Sequence, residues 1–86
     1  MSINYKSDHL KDYFGLKYDT TDIGKHIRKL RQKKKWSLHR LSYEAHVDVA
    51  VLMRIEKGLR APVLDTLLKI ISGLGSTPAK FFRVFD

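Results

Sequence analysis

The sequence predicts an all-α fold, a compact domain of about five helices preceded by a short N-terminal arm. Three observations predict it. Apolar residues recur at helical spacing in successive segments, as at Ile23, Ile27 and Leu30. Helix-starting residues (Ser37, Asp48, Thr77) stand just before such segments, and Gly58 and Gly75 stand just after them. Val, Ile and Thr never fall into the alternating runs that mark strands.

The elements follow in order. Residues 1–20 form the arm, in which Ser7 can cap a turn or two through Phe14, with Gly15 ending it. Tyr5, Tyr13, Phe14 and Tyr18 are too many aromatics for a purely solvated tail. The domain proper is residues 21–86. Its first helix is expected from about Asp22 to Lys34, capped by Thr21 or Asp22, with Ile23, Ile27, Leu30 and Lys34 as one stripe. The second is expected from Ser37, as cap, to about Glu44, with Leu38, Leu41, Ser42 and Ala45 turned inward. After the link Ala45-His46-Val47, Asp48 caps a third helix from Val49 to about Lys57, with Leu52 and Ile55 inward. The fourth is expected over Leu64–Leu74, with Leu64, Leu67, Leu68, Ile71 and Leu74 at helical spacing. Thr77-Pro78 opens a last short helix that carries Phe81, Phe82 and Phe85.

Composition narrows the function. The chain has 86 residues, 43% hydrophobic and 30% charged, a globular balance. It has no Cys, which removes disulfides and Cys-ligated zinc. No apolar run approaches the roughly 18 residues of a membrane span. The start, Met1-Ser2-Ile3-Asn4-Tyr5, has no basic region followed by an apolar stretch, so a cytoplasmic protein with no membrane partner is expected. The net charge is +8, and it is uneven: residues 1–22 sum to −1 and residues 23–86 to +9. Eight bases and no acid lie within 25–40. Such a field attracts polyanions, nucleic acid above all, although a solvated basic helix face has the same composition.

Two short helices joined by three or four residues form a helix-turn-helix arrangement. Small Ala45 allows close approach at the turn, Val47 fills the angle, and Leu41 and Leu52 pack across it. The third helix then protrudes as a rod that a DNA major groove admits.

With those residues assembled, the chain resembles the lambda-repressor-like, Cro-type helix-turn-helix domain of the XRE class over about 60 residues, 23–82. The matching runs are Ile23-Gly24-Lys25-His26-Ile27-Arg28-Lys29-Leu30-Arg31, Trp36-Ser37-Leu38-His39-Arg40-Leu41, Ala45-His46-Val47-Asp48 and Arg54-Ile55-Glu56-Lys57-Gly58. Pro62, Leu67-Leu68-Lys69-Ile70, Leu74-Gly75 and Phe81-Phe82 follow. The resemblance implies a regulator of transcription that binds double-stranded DNA as a homodimer. It implies base-edge contacts from Val49, Ala50, Met53 and Arg54. It implies backbone contacts from Ser37, Leu38, His39 and Arg40 at the start of the second helix, and from Lys57 and Arg60 after the third. Arg31 and Glu56 correspond to a structural ion pair that bridges the first and third helices. The apolar residues Phe82, Val84 and Phe85 close the chain and suggest a two-fold interface.

The sequence departs from the family pattern in four places. Leu38 stands where Gln is common, His46 replaces a turn Gly that often has positive φ, and Val63 replaces a capping Ser or Thr. Val49 and Ala50 cannot hydrogen-bond a base; they suit thymine methyls or a protein partner, such as a toxin or another regulator.

The four His (His9, His26, His39, His46) share no helix at ligand spacing, so neither metal nor other cofactor is expected. No nucleophile–base arrangement, carboxylate pair or Gly-rich phosphate loop supports an enzyme.

Overall fold

A computed structural model describes residues 14–86. Five α-helices and a terminal 3-10 turn follow in order: α1 (Thr20–Lys33), α2 (Leu38–Ala45), α3 (Val49–Glu56), α4 (Leu64–Gly73), α5 (Pro78–Phe82), then Arg83–Phe85. There is no strand among the described residues. Ser7, Tyr5, Tyr13 and the turn expected to end at Phe14 fall wholly or partly outside the described residues. Gly15, expected to end that turn, has φ +68°.

Helix α1 starts earlier than its apolar stripe indicates. Its cap is Asp19, not Thr21 or Asp22. The Asp19 Oδ1 accepts from the Thr21 N–H at 2.9 Å, and Asp22 Oδ2 accepts from the Asp19 N–H at 2.9 Å. This reciprocal box satisfies amides that would otherwise be orphaned, so Thr20 and Thr21 are drawn into the first turn. Ile27 is fully buried, Ile23 and Leu30 pack on the core, and Lys34 lies past the helix in solvent.

Four helices end by the same device. Beyond each last turn a residue takes left-handed φ: Lys35 (59°), His46 (56°), Gly58 (74°) and Gly75 (73°). The next N–H then reaches back across the final turn: Trp36 to the Arg31 carbonyl at 3.2 Å, Val47 to Ser42 at 3.2 Å, Leu59 to Arg54 at 2.9 Å and Ser76 to Ile71 at 3.0 Å. These are Schellman closures. The positive φ expected at His46 is present; the one at Lys35 was not legible. A side chain in that region costs about 1–2 kcal/mol relative to right-handed backbone.

Ser37, Asp48 and Thr77 cap as expected. Ser37 Oγ accepts from the Arg40 N–H at 3.0 Å, Asp48 Oδ1 from the Ala50 N–H at 2.8 Å, and Thr77 Oγ1 from the Lys80 N–H at 3.3 Å. Val63 precedes α4 in extended geometry with no side-chain cap.

Close crossings hold the helices together. A Cβ on Gly24 would lie 2.1 Å from the Ile55 carbonyl oxygen, so only glycine lets α1 cross the end of α3 there. A Cβ on Gly73 would lie 2.8 Å from Ala45 Cα. The small side chain of Ala45 therefore serves the contact of α2 with α4, beyond its place beside the turn. Leu41, Leu52, Ile55, Ile70, Ile71 and Phe81 complete a core with Ile27. The fourth helix corrects the expected stripe. Its buried residues are Leu67, Ile70, Ile71 and Leu74, while Leu64 and Leu68 are 68% and 41% exposed. Leu67, Ile71 and Leu74 of the expected stripe are buried; α4 lies against α2 and turns Ile70 inward beside them in place of Leu64 and Leu68.

Candidate nucleic-acid interface

Helix α3 is anchored by one side and open on the other. Leu52, Ile55 and Glu56 are buried. Val49, Ala50 and Met53 are half-exposed, and Arg54 and Lys57 are exposed. Residues 50, 53, 54 and 57 share one helical face, so three of the four expected base-edge residues, Ala50, Met53 and Arg54, lie on one side of a short rod, and Val49 is half-exposed at its start. Its N-terminal amides are already occupied by Asp48, which leaves side chains rather than backbone to meet a ligand.

The expected backbone-contact residues divide into two groups. Lys57, Arg60, Ser37 and His39 are exposed. Leu38 is first in α2 but its side chain packs on the core, so only its backbone N–H can serve a phosphate. Arg40 is committed to its own helix: Nε donates to Glu44 Oε2 at 2.8 Å, and the guanidinium lies 4.6 Å from the centroid of the Trp36 ring. Lys34 Nζ is 4.9 Å from the same ring. Trp36 therefore gathers two cations beside the start of α2, a cation–π arrangement that spacing did not reveal.

Arg31 and Glu56 form the expected bridge. Nε donates to Oε2 and Nη2 to Oε1, both at 2.8 Å, and Nη1 donates to the Trp36 carbonyl at 2.7 Å. The hydrogen bond to Glu56 raises the Arg31 pKa above its ordinary value, against the opposing effect of burial.

A groove opens between α1, α2 and α3, lined by Arg28, Arg31, Leu38, Met53, Glu56 and Lys57. From sequence, Arg28 reads as part of a solvated basic face rather than as a phosphate contact. Its place three residues before Arg31, on the same side of α1, was the available signal.

At the C-terminus, Phe82 and Val84 are 38% and 60% exposed. Phe85 is used internally: its ring meets Tyr18 at 5.0 Å and His26 at 5.5 Å, and it packs on the core. Among the described residues, no group of three His, Asp or Glu could hold a metal ion, and no helix is long and apolar enough to cross a membrane.

Residues 27–81 match the Helix-turn-helix family. The chain belongs to it. Its helix-turn-helix domain is XRE/Cro-like. The domain is 36% identical over 61 residues to an uncharacterized HTH-type transcriptional regulator of Mycobacterium tuberculosis, covering 71% of this chain and 24% of that protein. The same figures hold for an uncharacterized HTH-type transcriptional regulator of Mycobacterium bovis. It is 42% identical over 48 residues to the HTH-type transcriptional regulator SutR of Escherichia coli, covering 56% of this chain and 27% of that protein. The match thus spans about a quarter of the length of these relatives. No solved structure matches at a significant level.

Proposed function

We propose that this helix-turn-helix domain is the DNA-binding part of a transcriptional regulator and acts as a homodimer on a near-palindromic operator. The observation that carries the reading is the outward face of α3, residues 50, 53, 54 and 57, with the exposed base Arg60 three residues beyond. A short helix anchored by one side and cationic at its edges suits a major groove. The names of the relatives as transcriptional regulators agree with it. In a two-fold dimer the two α3 helices would stand about 34 Å apart, one helical turn of DNA. Phe82 and Val84 supply exposed apolar surface for pairing, and Phe85 is partly buried against the core.

Selection from random duplexes with pure protein tests the reading. A recovered palindromic motif is expected, and Arg54→Ala relaxes it. No motif, with affinity weaker than about 10⁻⁵ M at physiological salt, removes the specific-regulator reading.

One observation favours a second reading. The first turn of α3 presents Val49, Ala50 and Met53, none of which can hydrogen-bond a base. The same face could meet a partner protein, as in an antitoxin. In that case Val49→Asp breaks a co-purifying complex and leaves DNA affinity unchanged.

A further inference from the structure

We propose that the groove between α1, α2 and α3 seats one DNA backbone phosphate, gripped by Arg28 from α1 and by Lys57 from the end of α3. The inference rests on the DNA-binding reading above and extends it to a helix outside the helix-turn-helix unit.

Charge carries the first part of the argument. Three cations and one anion line the groove: Arg28, Arg31, Lys57 and Glu56. Both Glu56 oxygens are taken by Arg31 at 2.8 Å, so that pair is electrically closed. Arg28 and Lys57 remain, both exposed, and leave a surplus of two positive charges at one opening.

Surroundings carry the second. Leu38 and Met53 supply the apolar lining. Apolar walls exclude water and strengthen charge-assisted hydrogen bonds to an oxyanion. A guanidinium fork and an ammonium can both donate to the oxygens of one phosphate.

Location carries the third. Met53 belongs to the outward face of α3, and Leu38 opens α2. An anion here lies beside the reading helix, at the flank where a DNA strand passes when a helix occupies the groove. Met53 thereby becomes a wall of the phosphate seat as well as a neighbour of the bases. Arg28 positions the duplex and reads no sequence.

The test uses a duplex recovered by selection, with wild type, Arg28→Ala, Arg28→Lys, Lys57→Ala and, as a control cation on another helix, Lys69→Ala. Arg28→Ala and Lys57→Ala are each expected to weaken binding roughly tenfold. Each is expected to reduce the slope of log affinity against log salt by about one. Arg28→Lys recovers part of the loss, and Lys69→Ala changes neither quantity. Neutral methylphosphonates are then placed one linkage at a time. At one linkage wild type loses affinity, and Arg28→Ala and Lys57→Ala lose nothing more. If Arg28→Ala behaves like Lys69→Ala, or still adds to the loss at every linkage, the seat does not exist. If Arg28→Ala fails to fold by thermal melting, Arg28→Lys on the methylphosphonate series decides instead: its deficit must vanish at the same linkage as that of Lys57→Ala. Wild type that binds no duplex overturns the DNA reading itself, a different outcome from retained binding without the predicted linkage.

Discussion

Arg31 on α1 and Glu56 at the end of α3 meet through two parallel hydrogen bonds of 2.8 Å, with side chains only 12% and 4% exposed. The third Arg31 contact, to the Trp36 carbonyl, ties in the loop before α2. One guanidinium thus joins the first helix to both parts of the helix-turn-helix. Glu56→Gln removes the countercharge and leaves a largely buried cation poorly paired. We expect a loss of about 3 kcal/mol, since breaking one side of a buried pair costs far more than the pair is worth. Urea denaturation measures it; an unchanged midpoint at constant slope contradicts the role given to the pair.

Gly24→Ala tests the crossing of α1 and α3. The added methyl would sit 2.1 Å from a backbone oxygen, which cannot rotate away. The helices must separate, at a cost of about 1–3 kcal/mol. For a domain of this size that lowers the melting temperature by roughly 4–8 °C per kcal/mol. A variant that melts with wild type shows that the crossing is looser than described.

Val63→Ser tests the uncapped end of α4. Val63 has extended backbone, φ −68° and ψ 157°, and is 63% exposed. A hydroxyl there can accept one of the orphan amides, worth about 1 kcal/mol. Thermal melting is expected to shift upward; a downward shift means that the valine packs in a way its exposure does not show.

His26 predicts a pH dependence of stability. Its ring lies 4.7 Å from Phe81 and 5.5 Å from Phe85, and burial pushes its pKa below the ordinary 6.5. A hydrogen bond to the Phe81 backbone opposes this, and Lys29 adds to the depression. Because the unfolded chain takes the proton first, this contribution is full above 6.5. It falls as the pH drops through 6.5 and levels off below the folded-state pKa. Urea midpoints of wild type and His26→Gln from about pH 8 to about pH 5 should therefore converge on acidification. Parallel curves would remove His26 from the account.

Helix boundaries and the turn were readable because their causes are local. Ser37, Asp48, Thr77 and the pair Gly58 and Gly75 act within one turn of backbone, so neighbouring residues suffice to predict them. Asp19 was missed as a cap because the apolar stripe began later than the helix, although its box partner Asp22 stood three residues on. Lys35 was missed because nothing in a lysine announces left-handed backbone; the closure onto Arg31 imposes it.

Residue spacing and charge alone therefore settled the all-α class, the helix-turn-helix order and the basic character of residues 23–86. Packing decided the rest. Which edge of the α4 stripe turned inward depended on where α2 lay, and Ile70 took the place of Leu64 and Leu68 beside Leu67 and Ile71 for that reason. Arg28 and Lys57 are twenty-nine positions apart, and only the crossing of α1 over α3 at Gly24 brings them to one groove. Local hydrogen bonds act along the chain and are written in it. Contacts between helices depend on the angles at which the helices pack, and those angles emerge only when the whole core is assembled.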